Sequence, residues 1–87
     1  MFLHITDVRH LQDYQLEVVF NDGSVRRVDL EKELYGEVFE PLKDKDFFRK
    51  VQLNAETGTI EWPNGADFAP ECLHELGREV QPKLLRS

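Results

Sequence analysis

Four side chains in this chain of 87 residues are candidates for metal binding or nucleophilic chemistry: His4, His10, His74 and Cys72. Zinc sites draw such ligands from short, recurrent spacings, and none of those spacings occurs here. Cys72 and His74 are two apart on a stretch that reads as helix, so their side chains diverge. Cys72 beside a histidine would supply a thiolate and its base. No catalytic signature surrounds it, and a lone thiol more often packs as a small apolar group. Asp and Glu number seventeen, enough to pair by chance, and nothing selects a general acid–base couple from them. No glycine-rich loop leads into a Lys-Ser or Lys-Thr that would hold a phosphate. The expectation is a chain with no catalytic residue, no cofactor and no metal site.

The most distinctive stretch is Trp62-Pro63-Asn64-Gly65-Ala66-Asp67. One reading makes Trp62 an exposed aromatic anchor beside a rigid turn, with Asn64 and Asp67 as polar contacts. The other, preferred here, makes Trp62 close a core at a strand end, with Asp67 helping to cap the following helix. Phe39, Phe48 and the Leu84-Leu85 pair are further candidates for an apolar contact strip. Arg26-Arg27 reads as a charged strand face rather than a binding patch.

Elements to carry these residues are legible in the periodicity. Tyr14, Leu16, Val18 and Phe20 alternate with Gln15, Glu17 and Val19, the two-residue period of a half-buried strand. Asn21-Asp22-Gly23 is a turn, with Gly23 suited to positive φ. Ser24 to Asp29 returns as a strand. A three-residue loop sets Leu16 opposite Val28, Glu17 opposite Arg27 and Tyr14 opposite Leu30, which keeps apolar residues on one face. Phe2 to His10 reads as an earlier strand, turning at Gln12-Asp13. Asp29 caps a brief turn ended by Gly36, and Pro41 breaks the next stretch. Asp44 caps a short helix with Phe47 and Val51 on its inner face. A second hairpin pairs Val51 and Leu53 with Ile60 and Trp62, and Pro63-Asn64-Gly65 ends it. A last helix begins near Pro70, carries Leu73, Leu76 and Val80 inward, and ends at Gly77. The fold class is α+β: a β-meander and a second antiparallel hairpin, packed with short helices and a C-terminal helix. Residues 1–77 form a single compact domain, and 78–87 a C-terminal tail.

Composition sets the outer limits. The chain is 40% hydrophobic and 32% charged, an ordinary globular balance. Its formal charge of −6 disfavours direct nucleic-acid binding, which needs a basic surface to neutralise phosphates. No segment has the length of a membrane span or the pattern of a signal peptide, so the cytoplasm is the expected location. One cysteine excludes an internal disulfide. So small a core gains stability from a bound partner or from homodimer formation.

Several of these segments resemble a small bacterial family catalogued as domain of unknown function 2442. The resemblance runs from about His4 to Leu73. It is carried by Val19-Phe20-Asn21-Asp22-Gly23, Val28-Asp29-Leu30, Gly36-Glu37-Val38-Phe39-Glu40-Pro41-Leu42-Lys43-Asp44, Phe47-Phe48 and Gly58-Thr59-Ile60-Glu61-Trp62-Pro63-Asn64-Gly65-Ala66-Asp67. It implies a compact α+β domain with no established activity and no catalytic residues to carry over. Some members resemble sensing domains joined to a helix-turn-helix, and others lie beside a small gene in the manner of toxin–antitoxin pairs. Only a short stretch follows Leu76 here, too little for a DNA-reading helix pair. The expectation is therefore a non-enzymatic interaction module, the antitoxin-like partner of a small protein encoded nearby. A ligand-sensing or regulatory domain working with a DNA-binding partner is the alternative.

Overall fold

Alternating apolar side chains in the first third of the chain build an antiparallel meander, as the computed structural model shows for β1 (Ile5–His10), β2 (Gln15–Phe20) and β3 (Val25–Asp29). The structure describes residues 2–79. Leu16 pairs with Val28 and Glu17 with Arg27, the register that the apolar pattern requires. The Leu30 N–H donates to the Tyr14 carbonyl at 2.9 Å, extending that register. Leu16, Val18, Phe20 and Val28 are buried on the inner face. In β1 the register shifts between Ile5 and Asp7. This extra residue lets Ile5 and Val8, an odd spacing apart, both turn toward the core.

The chain from Leu30 to Lys50 is a run of single turns. Asp29 Oδ1 accepts the Glu31 N–H at 3.0 Å and starts a 3-10 turn over Glu31–Glu33. Leu30 and Leu34 are buried on either side of it. Pro41 does not break the next stretch; it sits in the first turn of a second 3-10 helix, Glu40–Lys43, where its missing N–H costs nothing. Asp44 caps α1 (Lys45–Phe48) by accepting the Asp46 N–H. The fully buried side chain of α1 is Phe48, while Phe47 and Val51 are only half-buried against the core.

The second sheet has three strands rather than two. β4 (Gln52–Asn54) pairs with β5 (Thr59–Glu61), setting Leu53 opposite Ile60. The chain then reverses and adds β6 (Asp67–Phe68), with Phe68 opposite Ile60. Asp67 is thus a strand residue. It does not cap α2 (Pro70–Leu76), whose N-cap position is Ala69.

Leu73 of α2 is fully buried, but Leu76 is 41% exposed, contrary to the stripe read from the sequence. The helix ends there: the Gly77 N–H bonds to the Leu73 carbonyl at 2.9 Å. A Cβ on Gly77 would lie 2.9 Å from Arg26 Cβ and from Val28 Cγ2, so the chain presses onto β3 at that point. It continues as β7 (Arg78–Glu79), paired with β3. The first sheet therefore has the order β1-β2-β3-β7, and the domain runs past residue 77 into what read as tail. Val80, Leu84 and Leu85 lie outside the described residues.

A single apolar cluster joins the two sheets and α2, with Ile5, Phe20, Leu42, Phe48, Ile60, Trp62, Phe68 and Leu73 among its members. At the seam, the Ile5 N–H donates to the Gly58 carbonyl at 2.8 Å. Gly58 has φ +72°, and a Cβ there would fall 2.1 Å from His4 Cβ, so only glycine fits.

Candidate functional site

Five of the seven candidate contact residues gather at the second sheet. The Trp62 backbone N–H donates to the Ala66 carbonyl at 2.8 Å, and the Gly65 N–H returns to the Trp62 carbonyl at 3.0 Å. Gly65 has φ +93°. The Asp-Gly or Asn-Gly pairing suits such a loop because glycine enters the left-handed region freely. Trp62 is 3% exposed and its indole N–H donates to the Phe48 carbonyl at 2.8 Å. Its ring lies 5.5 Å from that of Phe48 and 6.0 Å from that of Phe68, and Phe68 lies 5.0 Å from Phe39. Trp62 and Phe48 are therefore core residues, not contacts for a partner, and Phe39 is half-buried against them.

What this cluster positions is the loop before it. Asn64 accepts the Ala66 N–H at 3.2 Å and donates through Nδ2 to the Val38 carbonyl at 2.9 Å. Val38 is 50% exposed and Tyr35 is 69% exposed. Glu37 and Glu40 next to them in the chain are exposed, Glu40 paired with Lys43 at 3.0 Å. The result is an exposed loop with two large apolar side chains, its Val38 carbonyl held by Asn64 and its next residue, Phe39, packed on the core. Tyr35 and Val38 were not singled out from sequence, although two apolar residues flanking Gly36 within a charged stretch carried that signal.

The groups with reactive chemistry are arranged for structure. Asp22 accepts both the Ser24 hydroxyl at 2.6 Å and the Ser24 N–H at 2.9 Å. These bonds, with His74 further off, hold its carboxyl below the usual range. His74 Nε2 lies 3.8 Å from Asp22 Oδ2, and its ring packs edge-on against Phe20. The serine hydroxyl is thus bonded to the carboxylate and not to the imidazole, which is the wrong order for an activated nucleophile. Cys72 is exposed, and partial desolvation with Glu33 and Glu75 nearby pushes its thiol up. That favours the unreactive form. Among the described residues no three His, Cys, Asp or Glu side chains converge as metal ligands.

The outer face of the first sheet carries three exposed arginines. Arg9, Glu17, Arg27 and Arg78 form one row across β1, β2, β3 and β7. Arg9 bonds to Glu17 at 3.0 Å. On the inner face Tyr14 packs against Phe48 and its hydroxyl donates to the Lys43 carbonyl, and Lys45 pairs with Asp13, which raises the lysine's pKa.

Two antiparallel sheets sharing one core, with short helical turns and one C-terminal helix, define a small α+β domain. The chain matches the family described as protein of unknown function (DUF2442) over residues 5–79, and it belongs to that family. Comparison with curated proteins and with solved structures returned no match. Among the described residues no helix is long and apolar enough to cross a membrane.

Proposed function

We propose that this chain is a protein-interaction module without chemistry of its own, working in the cytoplasm as the antitoxin-like half of a two-gene pair. The observation that carries this reading is the exposed Tyr35–Val38 loop, whose Val38 carbonyl is held by Asn64 and which leads into Phe39, packed on the core, with the exposed Glu37 within it and Glu40 just after it. Apolar side chains at the centre of such a patch supply binding energy, and an acidic rim steers a basic partner toward it. The formal charge of −6 acts in the same sense at longer range. The partner this surface suits is a small basic protein.

The test is titration of the purified chain against the product of the adjacent gene, at low and at high salt. A complex is expected at both, forming more slowly at high salt because steering is screened. Tyr35→Ala is expected to weaken it by about thirtyfold, the effect of losing an aromatic anchor worth about 2 kcal/mol. No complex at either salt, together with a chain that shifts duplex DNA, would sink this reading in favour of the regulatory one.

A further inference from the structure

We propose that the outer face of the first sheet holds an anion site, at the end where β1 turns into β2, that takes the carboxylate or phosphate group of a small molecule. It lies on a different sheet from the loop tethered by Asn64 and does not rest on the interaction reading. A shallow depression of about 440 Å³ opens there, lined by Arg9, His10, Leu11, Gln12, Gln15 and Arg27. Its lining offers two guanidinium groups and two side-chain amides, with Glu17, paired to Arg9 at 3.0 Å, standing between the two arginines in the row. That is a donor set for an oxyanion, since guanidinium forks match the spacing of carboxylate and phosphate oxygens.

The cross-strand row explains why the site is unsatisfied from within. Arg9 has its carboxylate in Glu17, at 3.0 Å. Arg27 also stands opposite Glu17 in register, yet among the described residues it lies within ion-pair distance of no acid. On its other side it is directly opposite Arg78. Like charges at directly opposed positions are unfavourable unless an anion sits with them. Asp29, opposite Gln15, is the remaining acid at this end of β3, and it accepts the Glu31 backbone N–H with Oδ1. An incoming oxyanion would therefore meet Arg27, which has no acid partner among the described residues, Arg9, whose guanidinium stays largely exposed in its pair with Glu17, and the Gln12 and Gln15 amides. The volume suits one small ligand, and the open shape implies modest affinity.

The experiment is an NMR titration of the isotope-labelled chain at fixed ionic strength, with inorganic phosphate in one arm and succinate in the other. Saturable shifts are expected at the amides of Leu11, Gln12, Gln15 and Arg27, and the arm that saturates at the lower concentration identifies the oxyanion. Arg27→Gln, an exposed substitution whose fold the same spectrum verifies, is expected to weaken binding by about tenfold or more, the loss of a charge-assisted bond. Lys32→Gln, an exposed charge elsewhere, should leave it unchanged. The proposal is overturned if neither arm saturates at these amides, if Arg27→Gln binds as tightly as the parent chain, or if Lys32→Gln weakens binding as much.

Discussion

The loops Asn21-Asp22-Gly23 and Pro63-Asn64-Gly65 are the same turn built twice. In each, an aromatic residue before the loop exchanges backbone bonds across it: Phe20 with Ser24 and Gly23, Trp62 with Ala66 and Gly65. Both glycines sit near φ +90°, at +89° and +93°. In each, the residue before glycine accepts the N–H two positions on, Asp22 from Ser24 and Asn64 from Ala66. The difference lies in what the loops tie down. Asn21 accepts the His4 N–H at 3.0 Å and donates to the Phe2 carbonyl at 2.7 Å, so the first loop secures the entry to β1. Pro63 holds the equivalent position in the second loop and has no such side chain. There the tether comes from Asn64 and reaches Val38. One turn geometry thus serves the fold in the first sheet and displays a surface in the second.

Trp62→Ala should break this comparison most severely. It removes the ring that joins Phe48 to Phe68 and leaves the Phe48 carbonyl with only the 3.3 Å bond from the Val51 N–H, so a loss of about 3–5 kcal/mol is expected in chemical denaturation. A variant as stable as the parent would mean that the second loop stands without its aromatic base. The two tethers rank next. Asn21→Ala deletes two bonds at a half-buried site and should cost about 1–2 kcal/mol, against about 1 kcal/mol or less for the exposed Asn64→Ala. Only Asn64→Ala should weaken the proposed complex, because only that tether fixes Val38. Equal effects on complex formation would erase the distinction between the loops.

The smallest effect is one of pH. The Ser24 bonds lower the Asp22 pKa in the folded state, so its contribution is fully present above the unfolded value of about 3.9. It is lost as pH falls through the lower folded value. Asp22→Asn should therefore flatten part of the acid-induced fall in Tm below that range, whereas the Asn64 loop has no charge to lose. An Asp22 carboxyl that titrates at the ordinary value by NMR would remove the basis for this difference.

The contrast also explains which parts of the fold could be read from sequence. Around the first loop, strands of six and five residues alternate apolar and polar side chains, so the pattern fixes the register. The second loop has three residues of strand before it and only Asp67–Phe68 after it. Two residues show no period, so the same turn signal read there as an ending. The same brevity hid β7, which is likewise two residues long. On α1, helical spacing allows either Phe47 or Phe48 to face inward, and the packing of Trp62 decides for Phe48. The candidate surface was legible only in its supports. Asn64 and Phe39 were chosen for chemistry they exert indirectly, while Tyr35 and Val38 become visible once the core has claimed the other aromatics.

The buried indole has one more consequence. Trp62 is the chain's single tryptophan, and it follows β5 at the start of the loop whose Asn64 holds the Val38 carbonyl. Its emission therefore reports the solvent exposure of that region without any label. The first sheet carries no tryptophan, yet its Ile5 amide is bonded to Gly58 in the second hairpin. Following the indole signal and the hydrogen exchange of that one amide in the same denaturation series would tell whether the two sheets come apart together or in turn.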